Sequence, residues 1–154
     1  MKRMKTLLSL LLLAVLLLSL IGCDGIFKEK NNDNPENDKT ATEQLWETAT
    51  YTEDVTLGEG AKTVTVVVKA LERSITVTIK TDRDNLGDAL LECGLAQGDI
   101  GPYGLYMKKV NGIVADYDID ATYWNFCQNG KSLNYGVSDA KIVGGESYEL
   151  VRAK

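Results

Sequence analysis

The chain has 154 residues, 17 Lys and Arg against 22 Asp and Glu, and a formal net charge of −5. Such an acidic chain is a poor ligand for nucleic-acid phosphates and anionic headgroups, which are held by clustered Lys and Arg, so no nucleic-acid partner is expected. It has no histidine, which excludes Ser-His-Asp and Cys-His catalysis, imidazole-bound zinc and the usual near-neutral proton shuttle. No nucleophile–base pair and no suitably spaced carboxylate pair points to an enzyme of another kind.

Residues 1–22 read as a secretory signal. A basic start (Lys2, Arg3, Lys5) is followed by a Leu-rich run from Thr6 to Ile21, shorter than the roughly 20 residues a membrane-spanning helix needs. Its end, Leu20-Ile21-Gly22-Cys23, resembles the lipobox of bacterial lipoproteins. That resemblance implies cleavage before Cys23, lipidation of the Cys23 thiol, and an extracytoplasmic protein lipid-anchored to the bacterial cell membrane. One acyl chain anchors only marginally, whereas two or more anchor stably.

Residues 23–45 read as the lipidated Cys and a disordered tether. From Lys28 to Lys39 the chain is charged and Asn-rich with no apolar residue, too polar to offset the entropy of ordering. A flexible segment of roughly 20 residues spans about 25 Å.

Residues 46–154 read as the folded domain. Val64, Val66 and Val68 alternate with Thr65, Val67 and Lys69, and beyond a turn near Leu71-Glu72-Arg73, Ile75, Val77 and Ile79 alternate with Thr76, Thr78 and Lys80. This period-2 pattern predicts a hairpin with one buried face. After the Asp/Asn-rich segment 81–85, Leu86, Ala89, Leu90 and Cys93 fall at i, i+3, i+4 and i+7. They predict an amphipathic helix closed by Gly94. Short strands follow, turning at Asn111-Gly112 and Asn129-Gly130, the preferred pair for a type I′ turn. The order hairpin, helix, strands predicts an α+β fold: a β-grasp-like sheet with one packed helix.

Several motifs occur together in order: Gly101-x-Tyr103-Gly104-Leu105-Tyr106, Val110-Asn111-Gly112-Ile113, Ala115-Asp116-Tyr117-Asp118, Tyr123-Trp124-x-Phe126-x-x-Asn129-Gly130, Gly136-Val137 and Gly145-Glu146-Ser147-Tyr148-Glu149. Over residues 62–152 the chain resembles the transcobalamin C-terminal-like domain of bacterial surface proteins. The resemblance implies a β-grasp-like fold and a soluble ligand, with cobalamin or another corrinoid suggested, and a transporter or second surface protein as partner. Cys127 and Glu146 stand where that family more often has another apolar residue and Asp. The companion α-helical domain of the animal carriers is also missing, so weak binding is expected, around micromolar (roughly −8 kcal/mol). Without histidine to reach cobalt, the ligand's own lower base is expected to stay in place.

A corrin disc needs flat aromatic walls and side-chain amides. The candidates are Tyr103, Tyr106, Tyr123, Trp124, Asn129, Asn134 and Tyr135, with Tyr117 in the wider aromatic set. Trp124 and Phe126 share a strand face and suit a core, whereas Tyr123 and Tyr135 flank loops. The same residues would also serve a small sheet core and its turns. An adhesion or protein-interaction module with no small-molecule ligand is the alternative function. Asp116, Asp118 and Asp120 alternate as at the start of an EF-hand loop, but Ala121 and Cys127 occupy that loop's Gly and Glu positions, leaving a loose oxygen-ligand site or a solvated acidic turn. Cys93 and Cys127 either form a disulfide, worth up to about 4 kcal/mol, or are buried thiols. The reading leans to thiols, because neither lies in a loop that needs stapling.

Overall fold

The computed structural model describes residues 35–154. The signal segment 1–22, Cys23 and the tether as far as residue 34 lie outside the described residues. From Pro35 the expected tether gives way to helix α1 (Pro35–Trp46). Pro at the first helical position suits a helix start, because its missing N–H has no intrahelical partner there. Trp46 fixes the other end: it is 2% exposed, its indole Nε1 donates to the Ala70 carbonyl at 3.0 Å, and the Arg73 guanidinium lies 4.8 Å above its ring.

The hairpin forms as its alternation requires. Strands β2 (Lys62–Ala70) and β3 (Arg73–Thr81) pair antiparallel in register from Lys62↔Thr81 to Ala70↔Arg73. Val64, Val66, Val68, Ile75, Val77 and Ile79 are all buried, each worth about 1.5–3 kcal/mol relative to exposure. A short strand, β1 (Val55–Leu57), lies parallel to β3 at the sheet edge. Helix α2 (Leu86–Glu92) is capped by Asn85, whose side chain accepts from the Asp88 N–H at 2.8 Å. It buries Leu86, Ala89 and Leu90 in the same core as the hairpin valines.

Strands β4 (Ala96–Gly101), β5 (Gly104–Val110) and β6 (Ile113–Val114) then form a separate three-stranded sheet. After a four-residue helix α3 (Tyr117–Asp120) come β7 (Tyr123–Gln128), β8 (Lys131–Ser132), a 3-10 helix at Val137–Asp139 and β9 (Ser147–Ala153). The large sheet runs β1-β3-β2-β9-β7-β8, with β9 parallel to β2 and antiparallel to β7.

The fold is mixed α+β, as expected, with two corrections. The strands divide into two sheets, and the described residues hold three α-helices and one 3-10 helix instead of a single helix. Both Asn-Gly turns have positive φ at both positions, 52° and 79° at Asn111-Gly112 and 52° and 72° at Asn129-Gly130, the type I′ signature. Asn111 does more than turn: its buried side chain accepts from the Tyr51 N–H at 2.9 Å and donates to the Tyr51 carbonyl at 2.8 Å, tying the segment after α1 to the small sheet. Among the described residues no helix is long and apolar enough to cross a membrane.

Candidate functional site: an aromatic cleft

Two segments far apart in sequence meet at one end of the domain. One is the tip of the β4–β5 hairpin, residues 101–104, which carries Tyr103. The other runs from Leu133 through the 3-10 helix. Gly104 makes the junction possible: its φ is +87°, and a Cβ there would stand 2.4 Å from that of Ser138. The space left by the missing side chain lets the Ser138 hydroxyl accept from the Leu105 N–H at 3.0 Å.

The second segment is anchored from below. The Leu133 N–H donates to the Phe126 carbonyl at 2.9 Å, extending the β7–β8 ladder by one residue. Tyr135 packs edge-on against Phe126 (centroids 5.9 Å, planes at 79°), and Phe126 leans on Tyr148 at 5.1 Å. Edge-to-face pairs of this kind add about 0.5–1.5 kcal/mol beyond burial. Burial, with Tyr135 and Glu146 near, pushes the Tyr148 phenol above its ordinary pKa. Buried Val137 and Ala140 hold the 3-10 helix from within.

Between these segments lies an open cleft of about 500 Å³, lined by Tyr103, Leu133, Asn134, Tyr135, Gly136 and Asp139. Its volume falls in the range of roughly 300–1,000 Å³ usual for small-molecule sites. The structure thus brings together Tyr103, Asn134 and Tyr135 from the expected set. The hydroxyls of the two tyrosines and the Asn134 amide have no hydrogen-bond partner among the described residues.

The remaining candidates do not line this cleft. Asn129 is the exposed first residue of the β7–β8 turn. Tyr106 is half-exposed on β5, and Tyr117 is exposed on α3. Tyr123 and Trp124 are neighbours on β7, so they face opposite sides of the sheet. Trp124 belongs to the core, at 6% exposure, as its shared face with Phe126 implied. Its Nε1 is the one buried side-chain polar atom among the described residues without a hydrogen-bond partner. Leu133, Gly136 and Asp139 were missed. Gly136 stood in the Gly136-Val137 motif, and the only sequence signal for Leu133 and Asp139 was position, near Asn134-Tyr135 in a stretch between two strands.

The carboxylates of the acidic turn do not converge on one point. Asp-x-Asp-x-Asp folds as a helical turn, which sends carboxylates at alternate positions in different directions. Asp116 caps α3, accepting from the Asp118 N–H at 3.1 Å, and lies 3.5 Å from the Lys108 ammonium. Asp120 accepts from the Thr122 hydroxyl and pairs with Arg152 at 2.6 Å. Among the described residues no group of three His, Cys, Asp or Glu could hold a metal ion.

The disulfide is likewise absent, since Cys93 and Cys127 are free thiols. Cys93 ends α2 beside Gly58, which follows β1. Cys127 lies on β7, with β3, β2 and β9 between it and β1. A smaller hollow of about 190 Å³ lies by Asp54, Thr76 and Thr78 at the β1 edge. Its one carboxylate, Asp54, is engaged by the Thr76 N–H at 2.7 Å.

The cleft belongs largely to the part of the chain that a known family matches. That match is to a domain of unknown function, DUF4430, over residues 84–147. The chain is also similar to the crystal structure of a candidate metal-binding protein from Ruminococcus gnavus, at 26% identity and a TM-score of 0.56, over 61% of this chain and 98% of that one. A second similar structure is haptocorrin in complex with Cbi, at 20% identity and a TM-score of 0.45, over 60% of this chain and 25% of that one. No curated protein matches the chain.

Proposed function

We propose that this is a lipid-anchored extracytoplasmic protein of bacteria whose domain binds a soluble ligand in the Tyr103–Tyr135 cleft, the ligand being a corrinoid. The observation that carries this reading is the meeting of two aromatic rings and an amide, from separate segments, with every polar end unengaged. Flat apolar walls with a few orienting polar groups are what a disc with an amide-rich rim requires. The corrinoid choice draws on the motifs between residues 101 and 149, and the placement outside the cytoplasm on the lipobox-like sequence at Cys23. A β-grasp reading of the fold is supported by the β2–β3 hairpin, the packed α2 and the central β9 parallel to β2. The role is carriage rather than catalysis, in keeping with a chain that has no histidine.

The cleft is open on one side, where Tyr103 is 92% exposed. A transporter or second surface protein covering that side would strengthen binding. Calorimetric titration of the full chain with cobalamin and cobinamide tests the reading. The expected result is weak binding, around micromolar (about −8 kcal/mol), with an absorption spectrum showing cobalamin's lower base still in place. No heat at high ligand concentration would discard the corrinoid reading in favour of an adhesion or protein-interaction module.

A further inference from the structure

We infer that Asp139 sets the ligand preference of the cleft, selecting flat ligands whose rim carries N–H donors or positive charge over those whose rim carries carboxylates. This rests on the reading of the cleft as a binding site. Asp139 is the only charged side chain in the lining. Its backbone is fixed: the N–H donates to the Gly136 carbonyl at 3.0 Å, and the next residue, Ala140, is buried and donates to Val137 at 3.3 Å.

The carboxylate has no such engagement. Some loop carboxylates are engaged by the protein: Asp82 accepts from the Ala61 N–H, Asp84 pairs with Lys62, and Glu146 accepts from the Val143 and Gly144 N–H groups, whereas Glu53, Glu59 and Glu72 point to solvent away from the cleft lining. None of the ion pairs or hydrogen bonds among the described residues involves the Asp139 side chain. What sets Asp139 apart is its place: it is exposed in the cleft lining with no cation of the protein to neutralise it, so a bound ligand would meet its charge directly. Tyrosine hydroxyls and an amide both donate and accept, but a carboxylate only accepts. The one charged group of the lining is thus an acceptor, which N–H donors on a ligand's rim would satisfy. A ligand carboxylate would instead meet a like charge, a penalty that acts on specificity more than on affinity.

The test compares cobinamide, whose rim carries amides, with cobyrinic acid, whose rim carries carboxylic acids, by calorimetry on the full chain at low salt. Wild-type protein is expected to prefer cobinamide. Asp139→Asn should narrow that preference about fivefold, the upper end for an exposed charge pair, chiefly by tightening cobyrinic acid, and Asp139→Ser should do the same. Asp139→Glu should keep it. Added salt should shrink the wild-type preference toward that of Asp139→Asn. An unchanged preference in Asp139→Asn, with Tyr135→Ala weakening both ligands, would overturn the role of Asp139 and leave the cleft standing. Absence of heat from either ligand with wild-type protein would remove the binding reading, and this inference with it.

Discussion

The Leu105 N–H donates to the Ser138 hydroxyl at 3.0 Å, and this one bond fastens the β4–β5 hairpin tip to the 3-10 helix. It links the two walls of the cleft, so it governs both stability and the spacing of Tyr103 and Tyr135. Ser138→Ala is expected to lower stability by about 1 kcal/mol. Gly104→Ala should cost more, about 1–3 kcal/mol, because it adds positive-φ strain to a collision with Ser138. Urea denaturation measures both losses, and both variants should also weaken ligand binding. Gly104→Ala at wild-type stability would show that the junction is looser than described.

Tyr103 and Trp124 should separate binding from folding. Tyr103 is almost wholly exposed, so Tyr103→Ala should change stability by no more than about 0.5 kcal/mol while weakening the ligand. Trp124→Ala opens the core and should cost about 3–5 kcal/mol. Trp124→Phe should be milder, because it also removes the buried N–H that finds no partner. Denaturation midpoints alongside titration heats would distinguish the two classes.

Acid should weaken the contact between the α3 turn and β9. The Thr122 hydroxyl, opposed by burial and helped by the Thr122 N–H and Arg152, holds the Asp120 carboxyl below its ordinary pKa. A depressed folded pKa means that its contribution is complete above the unfolded value, about 3.9. The contribution is lost as pH falls through the folded value. Stability measured from pH 6 down to pH 2 should therefore decline less steeply in Asp120→Asn than in wild type. Equal slopes would remove Asp120 from the acid response.

Native protein should carry two slow thiols. Burial pushes the Cys93 thiol above its ordinary pKa, and Cys127 is buried. Alkylation should thus be slow until denaturant is added, after which intact mass should show two adducts on the domain without prior reduction. A mass lacking both adducts until a reductant is present would establish the disulfide instead.

Cys23→Ala is expected to release the protein from the membrane fraction, because two acyl chains, not one, give stable anchoring. Cell fractionation with an alkaline wash is the measurement. Retention of the variant in the washed pellet would contradict lipid attachment at Cys23.

What the sequence made legible was local. Alternation named the inward side chains of β2 and β3, the i, i+3, i+4 spacing named the α2 face, and Asn-Gly named two turns, because each pattern is written within ten residues of itself. The pairing of β9 with β2 was not legible, since nothing near Thr65 points to Ser147 as its neighbour. Helix α1 was hidden for a related reason: its polar stretch is anchored at its end by distant contacts, from Trp46 to Ala70 and Arg73. Tyr135 could be picked out because it sits beside a loop, but the same signal picked out Tyr123, which does not line the cleft. Alternation shows that Tyr123 and Trp124 face opposite ways, but not which of two sheet faces a far-off hairpin tip will approach. The Asp-x-Asp-x-Asp spacing left both a loose oxygen-ligand site and an acidic turn open, because it fits a loop and a helix start equally well.

The position of β9 has a consequence for how the molecule is made. Strands β2 and β3 emerge early and can pair at once, but the free edge of β2 waits for the last strand of the described chain. Until then the valine-rich hairpin has an open side, and β7 has no strand between it and β2. Pairing across so many residues is slow and cannot precede completion of the segment that performs it. The β2 edge therefore stays unpaired until β9 has been made, and β9 completes the large sheet by entering between β2 and β7.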